Sequence, residues 1–353
     1  MSGKFQLIVL GLFLIIQPML ATEKETVNTK TNIVKFDTNY IKSYCDWFHL
    51  TVVGAQKQSV ISLTNVKADN NLNFSSNNPM DFGLAIDYEW FTFEYTHSFN
   101  SFNFVDSKKG ISENSSLQFG LTGRKFRITT YYRFTTGFYI DNIEDFSPNY
   151  FQTHQNYPYY PNINNFIFDF SLYYTFNHKK FSNTAALWQI DRQLKSAGSP
   201  VLGFITNLES IDFTEQLTLA DTSLTTNIYP DFKDAAYVRV GLTGGYMHTF
   251  AIKKRFYIHG ALIQGFMYNA GNQVYFDDRE ETYTQSLAMS TFLRLTAGYN
   301  GDKWYGGIFY EADAFMNDVM AEMGEITNYN YFRIYVGYRF HINKRPWMKK
   351  LYL

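Results

Sequence analysis

The chain has 353 residues, and its 31 Lys plus Arg against 32 Asp plus Glu give a formal net charge of -1. That balance excludes an ordinary nucleic-acid binder, which carries a basic excess. With 45% hydrophobic and only 18% charged residues, a disordered tail protein is excluded too. Aromatic residues reach 19% while mean hydropathy is -0.27. Past residue 21 no apolar run approaches the roughly 20 residues of a membrane-spanning helix. High aromatic content, low charge and no spanning helix point to an all-β chain whose outer face meets lipid.

Lys4 precedes an apolar stretch of nine residues, Ile8 to Ile16, which Pro18 breaks before Met19-Leu20-Ala21. Charge, a short apolar core and a small residue at the cut predict a signal peptide over residues 1–21. Residues 22–46 are polar with little period and read as a periplasmic lead-in rather than a domain. Cys45 is the single cysteine, so no intrachain disulfide forms, and it lies too far from the signal core for a lipid anchor. The seven histidines are scattered and HExxH spacing is absent, so no metal or cofactor is expected.

From Trp47 to Ile342 the sequence alternates with period two. A first long strand is expected around 47–63. Phe82, Leu84, Ile86 and Tyr88 alternate with Gly83, Ala85 and Asp87, and Phe91, Phe93 and Tyr95 alternate with Thr92, Glu94 and Thr96. Leu117, Phe119 and Leu121 follow the same rule. So do Ile128, Tyr132 and Phe134 against Arg127, Tyr131 and Arg133. Phe168, Phe170, Leu172 and Tyr174 alternate with Asp169 and Ser171, and Ile334, Val336, Tyr338 and Phe340 with Arg333, Gly337 and Arg339. Strand side chains point alternately to opposite faces, so each run has one apolar and one polar or small face. Many runs reach about 9–14 residues, enough to cross a bilayer at a tilt, where soluble strands average about 5–6. That length favours a membrane barrel over a soluble sandwich.

Tight turns are expected at Trp90-Phe91, Gly123 to Lys125, Asn177 to Lys180, Lys253 to Arg255 and Asn300 to Asp302. Long polar loops are expected at 66–80, 100–114, 137–162, 269–285 and 316–329. Short turns belong in the periplasm and long loops outside, which requires an even strand count. The predicted fold is therefore an antiparallel transmembrane β-barrel of about 12–14 strands over residues 47–342. Twelve results if 198–235 is mostly external loop, and fourteen if 200–212 and part of 213–229 form a further pair. Residues 343–353 form a basic, aromatic tail, either an interfacial segment carrying Trp347 and Tyr352 or a frayed terminus.

Three stretches resemble one family: GRKFRITTYYRFTTGFYI at 123–140, FNHKKFSNTAALWQIDRQLKSAGSPVLG at 176–203 and LTAGYNGDKWYGGIFY at 295–310. The sequence is similar there, and over roughly 35–342, to the uncharacterised Bacteroidota group called domain of unknown function 4421. The resemblance implies a secreted, outer-membrane barrel-like protein and no assigned activity.

Candidate chemistry lies on the polar faces. Arg124, Arg127, Arg133, Arg239, Arg294, Arg333 and Arg339 point one way, together with Asp87, Glu89, Glu94, Asp169, Glu311 and Asp313. Near-equal opposite charge suits either a selective polar pore or a closed lumen stitched by ion pairs. Asp191, Arg192, Lys195, Ser196 and Ser199 gather where a strand meets a loop, as a lumen-mouth ligand site or an ordinary turn. Ser196, His178 and Asp191 supply the residue types of a hydrolase triad, but no GxSxG context surrounds them, so no catalytic residue is assigned. Gly241 to Gly245 lies within a strand, where glycine relieves crowding rather than cradling phosphate. The expected function is a conduit for a small solute or ligand, its selectivity set by lumen charges and loops 137–162 and 269–285. The alternative is an envelope protein binding a partner or glycan through its loops, and, less favoured, a lipid hydrolase or acyltransferase. The expected partners are outer-membrane lipid and a small-molecule ligand or envelope partner, not nucleic acid.

Overall fold

The computed structural model describes residues 36–65, 70–99, 105–213, 232–275, 280–316 and 323–341. The segments 1–21 and 343–353, and most of 22–46, fall outside these residues. Among the described residues no helix is long and apolar enough to cross a membrane.

Two short strands, β1 (Ile41–Ser43) and β9 (Asp191–Gln193), pair only with each other. The remaining strands form one closed antiparallel sheet. They are β2 (Phe48–Asn65), β3 (Asn70–Ser75), β4 (Asp81–Tyr88), β5 (Phe91–Ser98), β6 (Glu113–Thr122), β7 (Phe126–Ile140) and β8 (Tyr159–Thr175). After β9 come β10 (Ala197–Phe213), β11 (Phe232–Ile252), β12 (Phe256–Tyr275), β13 (Glu280–Asn300), β14 (Trp304–Met316) and β15 (Met323–Phe340). The described residues also hold three one-turn α-helices, α1 (Ile143–Phe146), α2 (Tyr150–Thr153) and α3 (Thr184–Leu187), and a 3-10 turn at Ser107–Lys109.

The sheet closes because β15 pairs with β2 along its whole length, from Met323 opposite Asn65 to Phe340 opposite Phe48. At the short-turn end the circuit runs β2-β4-β5-β6-β7-β8-β10-β11-β12-β13-β14-β15, which is twelve strands. At the other end β3 replaces three of them. Residues 60–65 of β2 pair with β3, and Phe74 and Ser75 of β3 pair directly with Ile140 and Tyr139 of β7. The wall thus narrows from twelve strands to ten, with β4, β5 and β6 ending part-way up.

Lys57 marks the step. Its ammonium lies 2.9 Å from the Asp81 carboxylate at the start of β4, and both side chains are fully buried. It also donates to Thr96 of β5 and Ser116 of β6. One cation therefore ties together the three strands that stop there. Asn78 Nδ2 donates to the Lys57 carbonyl, and Ser59 and Ser76 bridge the break between β3 and β4.

The alternation read from the sequence sorts inside from outside as expected. Leu84, Phe134, Leu262 and Val336 face outward and are exposed, while Ala85, Arg133, Ala261 and Arg333 face inward and are buried. An exposed apolar belt around a polar interior inverts the soluble arrangement and is stable only where the surroundings are lipid. Near the short turns the belt ends in aromatic pairs across neighbouring strands: Trp304 on Tyr338, Phe126 on Tyr174 and Phe256 on Tyr299, with centroids 4.7–5.2 Å apart. Such girdles sit at the headgroup level. The Gly241 and Gly245 positions of β11 allow close strand approach: an added Cβ would lie 2.2 Å from the carbonyl oxygens of Phe266 and Leu262.

Several sequence expectations require correction. Residues 70–75, most of 269–285 and 323–329 are strand, not loop. Asn-, Gln- and Gly-containing runs such as NNLNFS and NAGNQVY extend the sheet toward the long-loop end, where apolar alternation is lost although the ladder continues. The expected tight turn at 177–180 is instead the entry to a folded segment running to residue 196. Residues 197–213 are strand β10, paired with β8 and β11, so twelve strands arise by wall pairing rather than by looping out 198–235. Residues 214–231 lie outside the described residues.

The lipid-facing assignment gives a direct expectation. Leu262, six residues from the β11–β12 turn, is outward and exposed. Leu262→Arg should cost about 2–4 kcal/mol in urea unfolding from lipid vesicles, because a charge would face the hydrocarbon. A neutral effect would mean that this face meets water.

Candidate functional site

The interior is organised in three tiers. At the short-turn end lies a plug built from 36–46 and 176–196. Ile41 pairs with Gln193, Lys42 with Arg192 and Ser43 with Asp191. Backbone bonds Asp37 N to Lys179 O, Tyr44 N to Ile190 O and Leu194 N to Tyr40 O complete the unit. All four residues of α3 are buried, and Leu187, Trp188 and Ile190 pack on inward Val53, Tyr305 and Tyr335. Phe181 packs among Tyr173, Val201 and Ile263 on the opposite wall.

Polar contacts fix the plug to the wall. Arg339 donates to the Gln189 carbonyl at 2.5 Å and to Asn300 Oδ1 at 2.7 Å. Gln189 donates to the Tyr257 and Tyr335 hydroxyls, and Asn300 donates to the carbonyls of Ala185 and Asp191. Asp302, in the turn after β13, gathers the N-terminal segment and β9. It accepts from Lys42 at 2.7 Å, Tyr44 at 2.8 Å and Arg192 at 3.2 Å, with Arg255 at 3.7 Å. These hydrogen bonds, from Lys42 and Tyr44 first, hold the Asp302 carboxyl well below the usual carboxylate range.

The middle tier is charged. Arg133 lies 3.4 Å from both Asp169 and Asp313, its guanidinium over the Tyr329 ring at 3.5 Å. Arg294 pairs with Glu311 at 2.7 Å and Arg333 with Glu94 at 3.0 Å. Arg239 pairs with Glu209 at 2.7 Å and also donates to Asn207. Between these groups and Trp188 of the plug lies a cavity of about 70 Å³, lined by Arg127, Arg133, Arg294, Arg333, Asp169, Glu311 and Asp313. The third tier, toward the long loops, is apolar: Phe74, Phe138, Ile140, Ile163 and Phe213 meet Ile143 of α1 and Tyr150 of α2.

Of the charges read from the sequence, all but two lie on the buried or half-buried inward side of the wall strands. Arg124 sits in the β6–β7 turn and pairs with Asp191 at 2.8 Å, and Glu89 sits in the β4–β5 turn. The proposed ligand cluster does not converge on a cavity. Asp191 is taken by Arg124, Ser182 and Thr184, and Arg192 by Asn300 and Asp302. Lys195 lies over the Tyr40 ring, Ser196 accepts from Ala251 N, and Ser199 accepts from Asn177 N. None of the five lines the lumen cavity. The triad types are not assembled either: His178 bonds the Thr175 carbonyl, while Ser196 and Asp191 have the partners just named. Sequence reading missed Lys57, Asp81 and Glu209, although Lys57 sits on the inward phase of Val53 and Ala55. It also missed Gln189 and Asp302, which no periodic signal marks.

The family model described as Domain of unknown function (DUF4421) matches residues 35–340. The chain belongs to this family. No curated protein matches the sequence. Among solved structures, the toluene transporter TodX of Pseudomonas putida aligns with 84% of this chain and 90% of its own, at 7% identity and a TM-score of 0.28. The β domain of the Bordetella autotransporter BrkA covers 83% and 99%, at 10% identity and a TM-score of 0.34. OmpT, an outer membrane protein of Vibrio cholerae, covers 88% and 100%, at 10% identity and 0.26. Similarity at this level carries no information about the function of this chain.

The Asp302 latch is testable. In Asp302→Asn the barrel should remain folded, keeping its heat-modifiable mobility on a detergent gel. Cleavage by trypsin after Lys179, Lys180 or Arg192 should accelerate at least tenfold. Because the folded-state pKa is depressed, the latch contributes fully above the ordinary carboxylate range and is lost only as pH falls below it. Wild-type cleavage rates, corrected for protease activity, should therefore be flat between about pH 5 and 8.

Proposed function

We propose that the chain is an outer-membrane β-barrel acting as a conduit for small polar solutes, shut in this state by its periplasmic plug. The observation that carries the reading is that the plug is not part of the wall. Segments 36–46 and 176–196 fold on each other and attach around the half-exposed carboxylate of Asp302. A barrel that only needed filling could use wall side chains alone, whereas a separable plug in a charged lumen is what a gated passage requires. The membrane assignment is supported by the apolar belt, the aromatic girdle and the signal-like pattern of residues 1–21.

A second reading rests on the opposite end. Loop 141–158 packs over the apolar tier through Phe146, Phe151 and Tyr157. Beside it lies a surface depression of about 580 Å³ lined by Lys108, Glu144, Phe151, His154 and Tyr157. A partner- or glycan-binding envelope protein would present such a face.

Planar-bilayer recording separates the two. The conduit reading expects brief, infrequent openings of the wild type and at least a tenfold rise in open probability in Asp302→Asn. If both proteins are silent although folded, conduction is refuted and the external depression becomes the functional surface.

A further inference from the structure

We infer that the lumen cavity is a binding site for one small monovalent anion of halide size, held by Arg127. Four arginines line this cavity, and three have acidic partners: Arg133 with Asp169 and Asp313, Arg294 with Glu311, and Arg333 with Glu94. Arg127 has none. It is 6% exposed, makes no ion pair among the described residues, and its Nη1 has no hydrogen-bond partner. Its remaining contacts are neutral: Nε donates to Thr129 at 3.2 Å, and the indole of Trp188 lies 5.2 Å from the guanidinium carbon. Asp87 and Glu311 act on Arg127 through space as opposite charges; Asp87 is buried with no ion pair among the described residues and does not line the cavity. Arg294 acts on it as a like charge.

A buried guanidinium with no direct ion pair is expensive, because acids acting through space offset its desolvation only in part. A mobile anion supplies a direct counter-charge, whereas water supplies only a dipole. The space fits: about 70 Å³ is roughly two water volumes at about 30 Å³ each. Two further side chains with donor groups, Tyr173 and Gln118, line it. The size excludes sugar acids and larger solutes. The inference does not rest on conduction; a silent barrel would hold the same ion.

The test uses the full chain folded into detergent from sodium chloride or from sodium gluconate at equal ionic strength, gluconate being too large for the cavity. The heat-modifiability transition of the wild type should lie about 2–4 °C higher in chloride. In Arg127→Met the two salts should give the same transition. Equal transitions for the wild type, or a chloride dependence that survives in Arg127→Met, would overturn the assignment. Should Arg127→Met not fold, wild-type crystals grown from bromide decide it. An anomalous peak beside the Arg127 guanidinium supports the site, and an empty cavity refutes it.

Discussion

The structure depends on how the interior of a closed sheet is filled. About eight strands enclose a space that inward side chains can fill by themselves, and twelve enclose more. In lipid the outward face must be apolar, so polar side chains collect inside and must satisfy one another there. The chain meets both demands with three tiers: a folded plug at the short-turn end, a charged layer in the middle and an apolar layer under the long loops. The charged layer is committed once formed. Removing one member of a buried pair such as Arg239 and Glu209 leaves a stranded charge, which typically costs about 3–5 kcal/mol.

The narrowing of the wall follows from the same demand. Ten strands enclose less space than twelve, so the apolar tier can be completed by side chains such as Phe74 and Phe213 together with two one-turn helices. The cost is a break where β4, β5 and β6 stop, exposing backbone groups that a continuous ladder would have paired. Ser59, Ser76, Asn77 and Asn78 bond backbone groups around the break, and Lys57 ties the three strands together through the side chains of Asp81, Thr96 and Ser116. A buried lysine at mid-wall thus marks the change in strand number.

Much of the wall was legible in the sequence because period two is imposed by lipid outside and polar filling inside. Where both conditions hold, as in β4, β5, β7 and β8, inward and outward residues were assigned correctly. Where apolar alternation fades toward the loop end, runs such as 70–75 and 323–329 looked like loop. The plug was illegible for a different reason. Its residues answer to neighbours far away in the chain, such as Gln189 to Tyr257 and Tyr335, or Arg192 to Asp302. Dense polar residues at 191–199 read as a lumen-mouth ligand site or an ordinary turn, because local sequence could not show that Asp191 and Arg192 are engaged by Arg124 and Asn300.

The tiers differ in how they could take part in opening. The charged layer is bonded across the lumen, for example from Arg133 of β7 to Asp313 of β14, so moving it would strand charges. The plug is bonded within itself, through the β1–β9 pairing and through Gln193, whose amide meets Ser182, Lys180 and Lys195, as well as to the wall. Its outermost attachment, at Asp302, is half exposed to solvent, so water can replace those bonds at small cost. Arg339 and Asn300 lie deeper, and their released groups would face a lumen that water then enters. On the conduit reading, displacement of the plug therefore opens a path to the charged cavity without dismantling the ion pairs around it. The gate and the selectivity layer are then separate parts of the molecule, the first released by breaking the Asp302 contacts and the Arg124–Asp191 pair, the second fixed by burial.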